Sequence, residues 1–423
     1  MGTVTELTTH CEIACTEPHA AFSAFVHGVK HRYTFVMRTI PGISELLKPL
    51  DEAIDNFIKI LLQGYTFNID ERLLFSLPAK FGGLGIPIPS QVSDSEYNNS
   101  VTVTKEITAK VIKQEQLYVD CSKDTGEIKN KIKSTKEQRH NEDLKRIINN
   151  TTCKRKVKAL EATNENGASI WLTVKPIQRN GFFLEKQAFW DALRIRYAIP
   201  LERLPTTCVC GVPFDVQHSF SCPKGGLTIH RHNEIRDITS EILKEVCPNV
   251  VTEPMLTPLT GEQLQYATSK KADNARADVS AKDFWIKGQV AYCDVRVFNP
   301  IAKCHLNQSL SSVHRRNEAE KKRQYNQPIL QVEHGSFTPL VFSCFGGMSR
   351  ECSRFFSQAA DHLASKRNLS KSSTSSWIKA RLNFALLRSC LLCIRGSRTA
   401  GNITSLDESD LNVIIQDSCL SDD

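Results

Sequence analysis

The chain has 423 residues, 40% apolar and 24% charged, with 54 Lys and Arg against 46 Asp and Glu for a formal net charge of +8. This length suits two or three domains, and the apolar content excludes a largely disordered chain. Fifteen scattered cysteines, an opening MGTVTELTTH without a basic or apolar signal region, and a longest apolar stretch (384–394) broken by Arg388 argue against secreted disulfide scaffolds and membrane spans. The expectation is a nuclear or cytoplasmic protein, not secreted, with no membrane contact; Glu6 also occupies the Ser/Thr position of a myristoylation signal.

Residues 1–115 read as helical. AAFSAFVHGVKHRYTFVMRTI places Phe22, Phe25, Val29 and Tyr33 at helix spacing, and SELLKPLDEAIDNFIKILLQG repeats the pattern with Leu46, Leu50, Ile54, Phe57 and Leu61. LPAKFGGLGIPIPS then turns sharply, because Gly82, Gly83 and Gly85 permit backbone paths that other residues resist. Residues 116–204 form a basic helix and linker. Between 129 and 158 there are eleven basic residues against three acids, which reads either as a solvated helix or as an arm that tracks phosphates. Residues 168–204 suggest a strand or turn followed by an amphipathic helix carrying Phe189, Leu193 and Tyr197.

From about 205 the pattern changes. CVCGVPFDVQHSFSC, within 205–232, offers Cys208, Cys210, His218 and Cys222 as a zinc-knuckle donor set, with His230 or His232 able to replace one donor. Buried thiols beside a surface histidine are the bland alternative. Residues 233–350 combine a helix, HNEIRDITSEILKEV, with strand-like VVTEPML, RADVSA, GQVAYCDVRVF and FTPLVFSCF; SSVHRRNEAEKKRQY is a helix between the last two. Residues 351–423 complete the chain as C-terminal helices, near 350–367 and 377–395 with polar LSKSSTSS between them, and an acidic tail. The fold class expected is α+β, multidomain.

Asp278 and Asp294 each interrupt an otherwise apolar strand, where an acid costs desolvation unless it is paired or binds a cation. Two such acids converging on one spot would suit a hard divalent metal, with Glu253 as third oxygen ligand and Glu234 competing for that place. Arg296, two residues after Asp294, gives an acid-x-cation element. Lys322 and Tyr325 lie three apart on the following helix and share a face. Such a lysine could neutralise a scissile phosphate and the tyrosine could donate to it; a salt-bridged edge and a solvated basic helix are the alternatives.

In this order the elements resemble the C-terminal part of a non-LTR retrotransposon reverse transcriptase that carries a restriction-enzyme-like endonuclease. The resemblance rests on Cys208, Cys210, His218 and Cys222; on Arg231-His232-Asn233; on Arg276-Ala277-Asp278; on Asp294-Val295-Arg296-Val297; and on Lys322-Arg323-Gln324-Tyr325. PHAAFSAFVHGVKHRYTFVMRTIPG and LPAKFGGLGIPIPS resemble the thumb region that follows a polymerase palm. It implies a helical thumb-like region, a small zinc knuckle and a mixed α/β core of the PD-(D/E)XK superfamily. It further implies a structural Zn²⁺ in the knuckle and Mg²⁺ on Asp278, Asp294 and Glu253. Lys322, Tyr325 and Arg296 would assist hydrolysis of a DNA phosphodiester, nicking target DNA for insertion. DNA, retroelement RNA and the parent element's polymerase module are the implied partners. No Tyr/Phe-x-Asp-Asp box occurs, so polymerisation is not expected of this chain. A catalytically inactive, retroelement-derived nucleic-acid-binding protein is the alternative.

Overall fold

Apolar residues at helix spacing build the first part of the chain. In the computed structural model, which describes residues 2–115, 121–257 and 276–398, they form α1 (Gly2–Thr16), α2 (Pro18–Ala24), α3 (Lys30–Thr39), α4 (Lys48–Leu61), α5 (Ile69–Ser76) and α6 (Pro89–Ile112). α7 (Cys121–Asn150), α8 (Lys154–Thr163) and α9 (Lys186–Arg196) come next. A π turn at Phe25–Val29 joins α2 to α3. α4 buries Leu50, Ile54, Phe57, Ile58 and Leu61, as its periodicity predicts. Leu46 does not join them: it is 77% exposed, because a 3₁₀ turn over Glu45–Leu47 rotates the chain ahead of the helix and Leu47 goes inward instead.

The glycine segment after α5 folds back on that helix. Leu84 and Ile86 both donate to the Phe75 carbonyl, at 3.1 and 3.2 Å. A Cβ at Gly83 would stand 1.9 Å from the Leu77 carbonyl oxygen, so only glycine fits. Buried Arg72 closes the turn by donating to the carbonyls of Ile86 (3.0 Å) and Pro87 (2.9 Å), and Arg196 of α9 reaches the carbonyls of Ala79 and Gly83.

The basic stretch is helical. α7 presents most of its charge to solvent and anchors through buried Leu144 and Ile147 and the Lys80–Glu137 and Lys136–Glu96 ion pairs. The segment from α8 to α9 is more than a linker: Leu160, Trp171, Leu172, Phe182, Leu184, Phe189 and Leu193 enter the same apolar core as α1–α6.

A one-turn helix α10 (Val216–Ser219) precedes α11 (Leu227–Val246). Then come β1 (Val250–Thr252), β2 (Val279–Lys282), β3 (Val290–Phe298), α12 (Leu310–Gln331), β4 (Ser336–Ser343), α13 (Arg350–Arg367) and α14 (Lys371–Arg395). The sheet runs β1-β2-β3-β4, antiparallel except for parallel β3/β4, whose crossover contains α12. Val279, Ala281, Cys293 and Val295 face α11, α13 and α14; Tyr292 faces α12 beside Tyr325 and Ile329. The fold is α+β, and 64% of the described residues are helical.

α14 belongs to both cores, since Phe384 packs in the first and Leu382, Leu386 and Cys390 in the second. The polar LSKSSTSS run starts in the gap between α13 and α14 and continues into the second helix: Ser370 accepts from the Ser373 N–H at 3.1 Å, so α14 begins at Lys371, ahead of the expected 377. Asn383 bridges to the Trp171 N–H (3.2 Å) and the Gly167 carbonyl (3.0 Å), and Arg395 forks onto Asp191 (2.7 and 2.8 Å). The acidic tail lies outside the described residues.

Gly83→Ala is expected to destabilise the protein by more than about 2 kcal/mol, because a backbone carbonyl, not a movable side chain, blocks the new methyl. Urea unfolding followed by circular dichroism measures this; an unchanged midpoint contradicts it.

Candidate functional site

Two clusters carry chemistry. In the first, Cys208 and Cys210 flank a tight turn in which the Cys208 N–H donates to the Val212 carbonyl (2.9 Å) and Gly211 adopts a φ of 84°. Asp215 caps α10 by accepting from the His218 N–H at 2.7 Å, and the Cys222 N–H donates to the His218 carbonyl at 2.9 Å. The donor atoms of Cys208, Cys210, His218 and Cys222 lie within 4.8 Å of one another, so the group could hold a metal ion. Cys208 Sγ and Cys222 Sγ are 3.7 Å apart, and Cys210 Sγ lies 3.3 Å from His218 Nε2. Burial acts to raise the Cys208 thiol, but hydrogen bonds from the Cys210 backbone and from His218, Cys210 and Cys222 hold it down to about 6. His230 and His232 are not part of the group.

The second cluster lies where β2 and β3 meet α12. Asp278 directly precedes the Val279–Cys293 pair, so continuing the register sets it opposite Asp294 on the α12 face. Asp278 Oδ2 accepts from the Val295 N–H at 2.6 Å, and Oδ1 lies 3.1 Å from His232 Nε2 on α11. Asp294 is 3% exposed. Lys321 Nζ stands 2.6 Å from its Oδ2, a close ion pair. Burial, and next the Asp278 charge, raise the Asp294 carboxyl above the usual range; Lys321 and Tyr325 offset this only in part.

Several expected residues stand elsewhere. Lys322 is turned away and ion-paired with Glu351; the amine that reaches the acids is Lys321, one position and about 100° round the helix. Glu253 lies just past the end of β1 with φ 52°, its carboxylate taken by Arg236 and Arg276, so it does not converge on the pair. Among the described residues, the cysteine–histidine quartet is the one group of three or more Cys, His, Asp or Glu donors assembled this closely. Glu234 lies near Arg388 of α14, a charge it stabilises. Tyr325 is buried and donates to the Arg276 carbonyl at 3.0 Å, which ties down the segment before Asp278; burial and the Asp294 charge push its hydroxyl pKa up. Arg296 is exposed on the Asp294 face, its Nε 3.4 Å from Asn317 Oδ1. Sequence reasoning missed Lys321 and the place of His232 at the acids; the Lys321-Lys322 doublet was the only signal for the former.

A raised carboxyl pKa in the folded state means that stability is fully present below the ordinary Asp range and is lost as pH rises through the raised value. Asp294→Asn should therefore melt above the wild type at pH 8 in EDTA, with a difference that shrinks as the pH falls towards the ordinary Asp range. Equal melting temperatures at pH 8 contradict this. Comparison of the chain with protein-family models and with curated proteins finds no match in either.

Proposed function

We propose that this chain is a divalent-metal-dependent DNA endonuclease of the retroelement kind, with a structural zinc knuckle beside the nuclease core. The observation that carries the reading is the acid pair, Asp294 on β3 and Asp278 directly before β2, one of them buried, with the Lys321 ammonium 2.6 Å from Asp294 Oδ2. A buried carboxylate next to a second one is held at a cost unless positive charge compensates it; Lys321 offsets that cost in part, and a divalent cation shared by the two acids would offset the rest.

Asp278 and Asp294 would hold the Mg²⁺; two carboxylates suffice for an ion that keeps several waters. When bound, Mg²⁺ supplies Lewis-acid charge at the phosphate and lowers the pKa of water. His232 and the Val295 N–H fix the two oxygens of Asp278 and so set the direction of its remaining lone pairs. Lys321 places positive charge beside Asp294, where negative charge grows on a phosphate in the transition state. Exposed Arg296, two residues along the same face, suits a non-scissile phosphate, and its fixed charge makes it a binder, not a proton donor. Tyr325 keeps its hydroxyl on the Arg276 carbonyl and acts by holding the strand.

For the knuckle, a tetrahedral Zn²⁺ with Zn–S bonds of about 2.3 Å places its sulfurs roughly 3.8 Å apart. The 3.7 Å Cys208–Cys222 separation fits that spacing and is far too long for a disulfide. Four protein donors leave no open position, so the role is structural.

A second reading is favoured by one observation: Glu253 is engaged by two arginines, which leaves the acids without a third carboxylate among the described residues. In that reading the chain binds nucleic acid without cutting it, using the exposed charge of α7, and binding falls steeply with salt but survives EDTA.

Nicking of supercoiled plasmid in Mg²⁺ or Mn²⁺ separates the two. Asp294→Ala should abolish nicking while DNA binding persists. Lys321→Ala should lower it about 100-fold or more, whereas Lys322→Ala should stay within about threefold of wild type. Nicking by Asp294→Ala at the wild-type rate removes the nuclease reading. Equal losses for the two lysines remove the role given to Lys321. Cys208→Ser should lose the one equivalent of zinc expected in the purified protein, measured by mass spectrometry of the metal.

A further inference from the structure

The two clusters meet on one turn of α11. Arg231 and His232 are consecutive, so they point about 100° apart. His232 Nε2 lies 3.1 Å from Asp278 Oδ1. Arg231 goes the other way: it is 4% exposed, and its Nη2 donates to the Phe220 carbonyl at 3.1 Å. Phe220 sits between His218 and Cys222, the last two donors of the quartet, in the turn closed by the Cys222-to-His218 backbone bond. A second strap reaches the same turn from the strand that bears Asp294. Asn299, the residue after β3, donates through Nδ2 to the Gln217 carbonyl (3.0 Å) and to Ser221 Oγ (3.2 Å).

Arg231 is an unusual anchor. Among the described residues it has no carboxylate partner; it lies among the thiols of Cys344, Cys390 and Cys393, with Nη1 3.9 Å from Cys393 Sγ, and its Nε has no hydrogen-bond partner. Without a carboxylate it forms no bidentate ion pair. It provides direction instead, because a planar fork held at one carbonyl fixes the rotation of the helix that carries it.

We propose that the cysteine–histidine centre braces the acid pair through Arg231. The metal-closed turn fixes the Phe220 carbonyl, that carbonyl fixes Arg231 and the start of α11, and α11 in turn holds His232 against Asp278. Arg231 is thus a positioning residue, and the knuckle is part of the acid site's framework as well as a module beside it. The consequence for divalent-metal binding rests on the nuclease reading; the mechanical link does not.

The Val295 amide, hydrogen-bonded to Asp278 Oδ2, reports on that link. Hydrogen exchange is followed by mass spectrometry on the full chain in three forms: zinc-loaded, zinc-stripped by a chelator, and Arg231→Met. The last two should exchange faster by about tenfold or more at Val295 and at the first turns of α11, while Val341 in β4 keeps its rate. Arg231→Lys, which keeps the charge without the fork, should fall between. Unchanged Val295 exchange after zinc removal overturns the proposal, as do equal losses over β3 and β4, or a purified protein with no metal in the knuckle. In a second arm, Mn²⁺ affinity read by paramagnetic resonance should weaken about tenfold in Arg231→Met. If the wild type shows no Mn²⁺ site that Asp294→Asn removes, the nuclease reading fails, while the exchange result still decides the brace.

Discussion

A carboxylate buried in the middle of a sheet sets the terms for the rest of the second core. Asp294 lies on a strand paired on both sides, with Asp278 as its neighbour in charge, and burial disfavours its ionised form. Compensation has to come from the open face. The parallel pairing of β3 with β4 requires a crossover, and the crossover helix α12 passes over that face to bring Lys321 to the acid. Asn317 and Tyr325 line the same side of the helix and hold Arg296 and the approach to Asp278. The opposite face of the sheet, packed against α11, α13 and α14, is apolar and makes no such demand.

Much of this is legible in the residues because two periods are easy to separate. The alternation of VAYCDVRVF names a strand and singles out Asp294 as its misfit. The Cys208–Cys222 group follows from donor type and spacing alone. The failures are equally physical. In the Lys321-Lys322 doublet both residues suit the chemistry, and a rotation of about 100° decides between them, which depends on how α12 lies on the sheet. Glu253 belongs by pattern to a strand that in fact stops at Thr252, and the positive φ just beyond it hands the carboxylate to arginines. His232 suits zinc by its neighbours in sequence, which are the knuckle, whereas its neighbour in space is Asp278. LSKSSTSS resembles a break because serine disfavours helix interiors, but a serine run can also supply a cap and a solvated first turn.

The first core answers to a different logic. It is assembled from helices whose apolar stripes are plain in the sequence, and its irregular points are settled by arginines that seek backbone carbonyls. Arg72 and Arg196 close the glycine turn, and Arg194 reaches the Leu62 carbonyl and the Pro200 carbonyl. Arginine serves here because several donors in one plane can satisfy carbonyls that no secondary structure uses. Lys158, inside the basic stretch, is likewise consumed structurally: it is buried and donates to the Gln308 carbonyl, which joins the first core to the loop before α12. Charge counted along the sequence therefore overstates the charge that α7 and α8 offer to a partner.

The dual membership of α14 also bears on how the chain acquires its shape during synthesis. Phe384 completes one core and Cys390 the other, and both reside on a helix made after β1–β4 and after α1–α13. On a ribosome, neither half can seal its interior until residues 371–395 have left the exit tunnel. Apolar faces on α9 and α11 would wait open through that interval, a natural point for chaperone engagement.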